Sequence, residues 1–390
     1  MKVRRFVAIF FGFLLVLVLG FWGLTATLTM SNPVVLGQYL VTPTSELGGL
    51  FAYRELDASQ QPRPIPANVQ PLPSSVTWEG ESAPVEDFLT ETKTNSFLVM
   101  CRGENTHEWF KTEADRERRQ SSWSVAKSFI SLLVGQLIDE GKLAEDTTLV
   151  EVLPEYKTGT EFDDITVGHL LDMSSGIDLN EDYSYFKPFW GVGGLQITTD
   201  IPAYLKKNQG MRFAPGGKFD YRSVDTQYLS MIVAAVEGDN LTNIMQRRIW
   251  EPLGMEDDAH WNLDREGGIE KGFSAINATP RDFAKMGLLI ANNGKVGDKQ
   301  IVSEAWIKRI TTVSVEDDKG WGYAAKWWHP PGFEQHHDVT AMGVYGQYVY
   351  VNREQGTVVV KLSDYESERD EGATIEVFRQ FAQECEESAS

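Results

Sequence analysis

The segment Ser121–Leu143, SSWSVAKSFISLLVGQLIDEGKL, decides how this chain is read. Its apolar residues Phe129, Ile130, Leu132, Leu133, Leu137 and Ile138 recur at helical intervals, so the spacing predicts a helix that ends near Gly141. Ser124 and Lys127 stand three residues apart at its start, and residues at that spacing share a helix face. A lysine packed among apolar neighbours is desolvated, which favours its neutral form and lets it take the serine proton. The first turn adds free backbone N–H groups and the positive end of the helix dipole, both favouring developing negative charge. A lone Ser-x-x-Lys also occurs on surface helices, where the serine caps and the lysine is solvated. The pair therefore needs companions elsewhere in the chain.

Two are present. Residues 213–238 read FAPGGKFDYRSVDTQYLSMIVAAVEG, in which Pro215, Gly216 and Gly217 mark a turn ahead of Tyr221-Arg222-Ser223. A helix follows with Leu229, Ile232, Val233 and Val236 on one face. A tyrosine at the mouth of such a turn can present its hydroxyl to a Ser–Lys pair and pass a proton to a leaving group; standing alone, it would be an ordinary half-buried aromatic. Residues 340–352 read TAMGVYGQYVYVN, followed by GTVVVKLS. Alternating apolar residues and closely spaced Gly343 and Gly346 predict an inner strand whose backbone approaches a ligand, with Gly343, Tyr345 and Gly346 as candidate substrate contacts.

Serine, lysine, tyrosine and a glycine-bearing strand, in this order and with these gaps, resemble the serine β-lactamase and penicillin-binding-protein superfamily, and within it the class C branch. The phrases SVAKSF, HLLDMSSGI, PGGKFDYRSVDTQYLS, ATPRDFAKMGLLIANNG and GVYGQYVYV are most similar to the 6-aminohexanoate-dimer hydrolases, the nylon-oligomer hydrolases. The resemblance runs from about Phe97 to about Phe381. It implies that Ser124 is the acylated nucleophile, Lys127 its base and Tyr221 the partner acid and base. The Lys-Thr-Gly motif of class C enzymes falls on Ala341-Met342-Gly343, which implies an oxyanion hole made by the backbone N–H groups of Ser124 and Val344. Two positions depart from the pattern: Ala341 replaces the motif lysine, and Ser223 replaces the asparagine two residues after the tyrosine. Both changes remove polar recognition of a β-lactam or peptide carboxylate and leave the reacting groups in place. The resemblance also implies that a lid tyrosine contacts an amide substrate. Between Ser175 and Gly194 both Tyr183 and Tyr185 are candidates, and packing the loop is the alternative role for these aromatics.

With 390 residues, 42% of them hydrophobic and 11% aromatic, the chain can bury a large core. A formal charge of −20 argues against nucleic acid or an anionic lipid surface as a partner. Six scattered histidines, including the adjacent His336-His337, lack the spacing of a zinc site. No phosphate-cradling glycine loop and no Gly-x-Ser-x-Gly elbow appears. We therefore expect no metal and no cofactor. Trp327, Trp328, His329 and Pro330 read either as a surface loop or as the wall of an apolar acyl pocket.

From Phe6 to Leu24 runs an uncharged stretch preceded by Lys2, Arg4 and Arg5. It reads as a membrane anchor with its basic end in the cytoplasm, the alternative being a cleaved signal peptide. Either places the enzyme outside the cytoplasm, where Cys101 and Cys385 could pair. Residues 1–30 are thus the anchor or signal segment, and the proline-rich residues 31–95 a stalk or a surface strap. Residues 96–390 are the hydrolase domain, of class α+β. Strands are expected near 96–101, 108–112, 322–328, 344–351 and 357–362, enclosing a mainly helical lobe at about 121–320, with a final helix over about 373–385. The expected architecture is one antiparallel sheet flanked by helices, acting on a small amide or ester. A true β-lactamase or D-alanyl peptidase, and a non-catalytic sensor of the same fold, are the competing readings; the sequence carries no signal for oligomeric state.

Overall fold

The run TNSFLVMC forms strand β1 (Thr94–Cys101), which is buried almost throughout. A strand apolar at successive positions must be covered on both faces, and its neighbours supply the cover. The computed structural model, which describes residues 2–182, 189–365 and 371–387, pairs β1 with β2 (Glu104–Phe110) on one side and with the C-terminal β8 (Thr357–Ser363) on the other. The sheet continues through β7 (Gln347–Asn352), β6 (Asp338–Gly343), β5 (Trp327–His329), β4 (Gly322–Ala324) and β3 (Val315–Glu316). Every neighbouring pair is antiparallel.

Period-two alternation divides two cores across this sheet. Leu98, Met100, Val349, Val351, Val358 and Val360 face the larger core; Phe97, Val99, Tyr348, Tyr350 and Val359 face the smaller. The register sets these residues beside one another, Val358 opposite Met100 and Val360 opposite Leu98. The larger core is completed by helices α2 (Ala126–Asp139), α3 (Ser223–Glu237) and α4 (Pro280–Ala291). Helix α4 lies close to the sheet at Gly287, where a Cβ would stand 2.4 Å from Val358 Cγ1. The smaller core is closed by α5 (Glu371–Glu387), whose Phe378 and Phe381 rings pack on Phe97. Cys101 and Cys385 form a disulfide, with Cα atoms 5.6 Å apart, that ties α5 to β1.

The α+β architecture expected from the sequence is therefore present, with three local differences. The single strand expected over 322–328 is a hairpin: Ala325 and Lys326 both take left-handed backbone (φ 46° and 68°), which reverses the chain between Ala324 and Trp327. The strand expected through 340–352 is also two strands, reversed at left-handed Tyr345 and Gly346 (φ 68° and 80°). Neither turn carries the Asn-Gly pair that marks a tight hairpin, so the sequence does not show them. Third, the lobe inserted between β2 and β3 holds part of a second sheet, ordered Tyr53–Leu56, Ala259–Asn262, Ile276–Ala278, Gln120–Ser121.

Residues 31–95 lie against the body, burying Leu47, Phe51, Leu56, Val76, Val85 and Phe88. Ahead of them, α1 (Lys2–Thr27) is one 26-residue helix on which Phe10, Phe13, Leu17 and Leu19 stand exposed. Its base is tied down where Ser31 N–H donates to Ile197 O (2.8 Å) and Thr199 N–H to Thr29 O (2.7 Å). Among the described residues no helix is long and apolar enough to cross a membrane; the side chains at positions 2–5, 7–9, 11 and 14 of α1 lie outside the description.

Candidate active site

A 3-10 turn over Trp123–Val125 leads into α2 and carries Ser124. Trp123 takes left-handed backbone (φ 47°), a conformation costly for a residue with a Cβ and held only by firm surroundings. Those surroundings are visible: Ser122 N–H donates to Ile276 O (2.8 Å), and Ser121 Oγ donates to Asn277 Oδ1 (2.6 Å). One turn later, Lys127 is 1% exposed, and its Nζ lies 2.7 Å from Ser124 Oγ and 2.8 Å from Phe273 O. Burial pushes its pKa down to about 7; the Glu181 carboxylate opposes this shift and the nearby Lys326 ammonium adds to it. The direction of the shift is toward the neutral amine.

Tyr221 sits just ahead of α3, its ring centroid 5.2 Å from Lys127 Nζ. The ring stacks on Trp328 (5.4 Å) and meets Tyr323 edge-on (6.1 Å). Its backbone neighbours are pinned, since Asp220 N–H donates to Met173 O (2.8 Å) and Arg222 N–H to Met173 Sδ (3.4 Å). The end of β6 closes the arrangement. A Cβ on Gly343 would stand 2.7 Å from Ser122 O and 2.9 Å from Ser124 N, so glycine is what lets this strand reach the turn that carries Ser124.

A cavity of about 310 Å³ opens over these groups. Ser124, Tyr221, Trp321, Trp328 and Met342–Val344 line it, together with Glu181, Asp317, Lys319 and Glu371. Of the substrate contacts read from sequence, Gly343 lines the cleft. Tyr345 instead packs edge-on against the Trp123 ring (4.8 Å), and Gly346 sits in the turn, where a Cβ would meet Ser363 at 3.1 Å. Neither lines the cavity, because the turn that splits the expected strand carries them past its mouth. Tyr183 and Tyr185 lie outside the described residues. Of the Trp-His segment, Trp328 joins the cleft wall, whereas Trp327 and His329 are buried strand residues.

Sequence reasoning missed the polar groups beneath the cleft. Glu181 accepts hydrogen bonds from the Ser223 N–H (2.8 Å) and Oγ (2.5 Å), so a carboxylate braces the serine at the asparagine position. Burial raises the Glu181 pKa, and Lys127 and Ser223 oppose the rise. Asp225 accepts from Ser175 Oγ (2.5 Å) and is pushed up to about 7 by burial. Lys326, equally buried, is pushed down to about 8. No spacing rule joins these residues, although each stood near something the sequence had marked: Glu181 two positions before a lid tyrosine, Asp225 two after Ser223 and Lys326 beside Trp327.

Against this geometry, the β-lactamase family model matches residues 96–382. The chain belongs to the β-lactamase family. A 6-aminohexanoate-dimer hydrolase of Paenarthrobacter ureafaciens is 28% identical over 299 residues, covering 72% of this chain and 75% of the relative. Esterase EstB of Burkholderia gladioli is 28% identical over 159 residues, 37% of this chain and 40% of the esterase. Among solved structures, a candidate 6-aminohexanoate-dimer hydrolase from Bacillus anthracis superposes with a TM-score of 0.80 at 22% identity, covering 92% of this chain and 97% of its own. The protein is thus a serine hydrolase of the β-lactamase, penicillin-binding-protein and esterase type.

Proposed function

We propose that this β-lactamase-family member hydrolyses linear amides or esters through an acyl-enzyme on Ser124. The observation that carries the reading is the buried Lys127 amine 2.7 Å from Ser124 Oγ, with Tyr221 beside it on one cleft. As Oγ bonds to the substrate carbonyl carbon, Lys127 takes the hydroxyl proton. The carbonyl oxygen becomes an oxyanion facing the backbone amides of Ser124 and Val344. Collapse of this intermediate breaks the bond to the leaving nitrogen or oxygen, which receives a proton through Tyr221. Water then attacks the acyl group, freeing the acid and restoring the serine.

The cleft's charge supports substrates without a carboxylate near the reacting bond. Position 341 is alanine, and among the described residues the lining holds Glu181, Asp317 and Glu371 with one lysine, Lys319. Losing a charge-assisted contact costs on the order of 1.5–3 kcal/mol of binding, which weighs against β-lactams and peptide carboxylates and leaves neutral or amine-bearing chains unaffected. Two features support an extracytoplasmic location: the uncharged run Phe6–Leu24 and the disulfide, which persists in oxidising compartments. An anchored enzyme stays with membranes through high-salt washing and keeps its first residues; release, or a start near residue 30, sinks the anchor.

A fluorophosphonate probe tests the chemistry. Intact mass should show one adduct, peptide mapping should place it on Ser124, and Ser124→Ala should abolish it. In a substrate panel, short-chain aryl esters and linear ω-amino-acid amides should be cleaved and a chromogenic cephalosporin hardly at all. Labelling of another serine overturns the site, and faster turnover of the cephalosporin than of every ester and amide overturns the substrate class.

A further inference from the structure

Where the family pattern has an asparagine, this chain has not a serine alone but a serine joined to a carboxylate. Ser223 Oγ donates to Glu181 Oε1 (2.5 Å), and Ser223 N–H donates to Glu181 Oε2 (2.8 Å). Ser223 is fully buried, whereas Glu181 lines the cleft with Ser124 and Tyr221. The pair is therefore one polar unit, and Glu181 is the member that substrate meets.

The unit is held from behind. Arg222, 8% exposed, donates through Nη1 to Leu179 O (3.2 Å) and through Nε and Nη2 to Asp220 Oδ2 (3.1 and 2.9 Å). These bonds tie the chain two residues before Glu181 to the turn that carries Tyr221. At the next residue, Asn180 O accepts from Val192 N–H (2.7 Å). With its preceding backbone and both carboxylate oxygens anchored, the Glu181 side chain has little freedom left to lose when a ligand binds it.

Counting protons gives the chemistry that this unit offers. The side-chain amide of an asparagine presents both donors and an acceptor. Here the Ser223 hydroxyl proton is committed to Glu181, and an ionised carboxylate only accepts; of its roughly four lone-pair sites, Ser223 takes two. Burial works against ionisation of Glu181, and Lys127 with the two Ser223 hydrogen bonds works for it. Capping the first N–H of α3 would need one oxygen and no place on the cleft. Trp321, Trp328 and Met342 give the same cavity apolar lining. In such surroundings a substrate carbonyl set against the carboxylate places acceptor against acceptor, whereas an N–H completes a charge-assisted hydrogen bond.

We propose that Glu181, fixed by Ser223, is a specificity-determining residue that accepts a hydrogen bond from a substrate N–H, so that the cleft selects chains carrying an N–H over those presenting only a carbonyl or an alkyl group at that point. The exchange of asparagine for a Ser–Glu pair turns a mixed donor and acceptor subsite into an acceptor-only one.

This inference rests on the Ser124 acyl-enzyme reading, and the test separates the two. Aryl and alkyl esters carrying an acetamido N–H on the acyl chain or on the alcohol, at several chain lengths, are each matched with the N-methyl analogue and assayed at pH 8. In at least one chain length the wild type should turn over the N–H ester with kcat/KM about tenfold or more above its N-methyl partner. Glu181→Gln, which brings a donor into the pair, should move that ratio toward one. A residue that merely caps α3 would lower both members of each pair together, with Tm, and leave the ratio unmoved. Absence of ester hydrolysis and of fluorophosphonate labelling at Ser124 in the wild type sinks the catalytic reading. Hydrolysis with a ratio near one at every chain length, or with a ratio that Glu181→Gln does not move, sinks the role of Glu181 alone. If Glu181→Gln unfolds the chain, a crystal structure of the wild type carrying the best acetamido-alkyl group as a phosphonate on Ser124 decides. Its N–H should lie within hydrogen-bond distance of a Glu181 oxygen, and an N–H turned to any other acceptor overturns the proposal.

Discussion

Gly343→Ala tests how closely the site depends on the approach of β6. Gly343 does not need left-handed backbone, so alanine is acceptable to its φ and ψ, and the whole effect comes from the added methyl. That carbon would stand 2.7 Å from Ser122 O, 2.9 Å from Ser124 N and 3.1 Å from Trp123 Cβ, whereas ordinary contact begins at 3.4 Å. Two of these neighbours are backbone atoms of a turn anchored to Ile276 and Asn277. The strand end therefore has to move, by roughly half an ångström, and it carries the Val344 amide with it. Misplacement approaching 1 Å costs up to about a hundredfold in rate, and loss of one oxyanion donor costs about 10²–10³ in kcat, or roughly 3–4 kcal/mol. The fold pays less, about 1–3 kcal/mol for an overpacked methyl. We expect kcat on an aryl ester to fall about a hundredfold with KM little changed, which is the pattern of an interaction made only in the transition state. Gly49→Ala, where a Cβ meets nothing within 4 Å, is the control and should keep both kcat and Tm. A Gly343→Ala enzyme with full kcat, or one whose melting temperature drops while kcat holds, refutes the reasoning.

Three further outcomes follow from the structure. Lys127→Ala and Tyr221→Phe should each lower kcat by about a hundredfold or more, and the double variant should fall far short of the product, since the two handle one proton; steady-state kinetics that multiply cleanly would separate their roles. Gly135→Ala places a Cβ 2.3 Å from the Trp306 ring, which is 3% exposed and cannot swing away. The gain in helix propensity, about 1 kcal/mol, is outweighed by about 1–3 kcal/mol of overpacking, so denaturant melts should show net destabilisation where a solvent-facing helix glycine would show the opposite. Cys101→Ser with Cys385→Ser opens a link across 284 residues of sequence and should cost about 2–5 kcal/mol, read as a lower Tm that matches the reduced wild type.

Much of the scaffold was legible because its signals are local. Phe129 to Ile138 spell a helix, and Val358-Val359-Val360 and Phe97 to Met100 spell strands whose two faces both turn out to be buried. The hairpin turns were not legible. Ala325-Lys326 and Tyr345-Gly346 lack the Asn-Gly chemistry that marks such turns, and tertiary packing holds three of those four non-ideal residues in left-handed backbone. That difference moved Tyr345 and Gly346 out of the cleft.

The sequence by itself determined which groups could react. Ser124 and Lys127 meet because they are one helical turn apart, a relation that survives whatever packs around them, and the turn before Tyr221 is written in Pro215-Gly216-Gly217. Only the tertiary structure decided how those groups behave. The fold buries Lys127, which pushes its pKa down, and sets Phe273 O, 146 residues away, against its nitrogen. Glu181 reaches Ser223 across 42 residues, and the Lys326 turn docks on Ser128 across 198. Desolvation and charge–charge interaction depend on what surrounds a group in space, and here most of those surroundings come from distant parts of the chain.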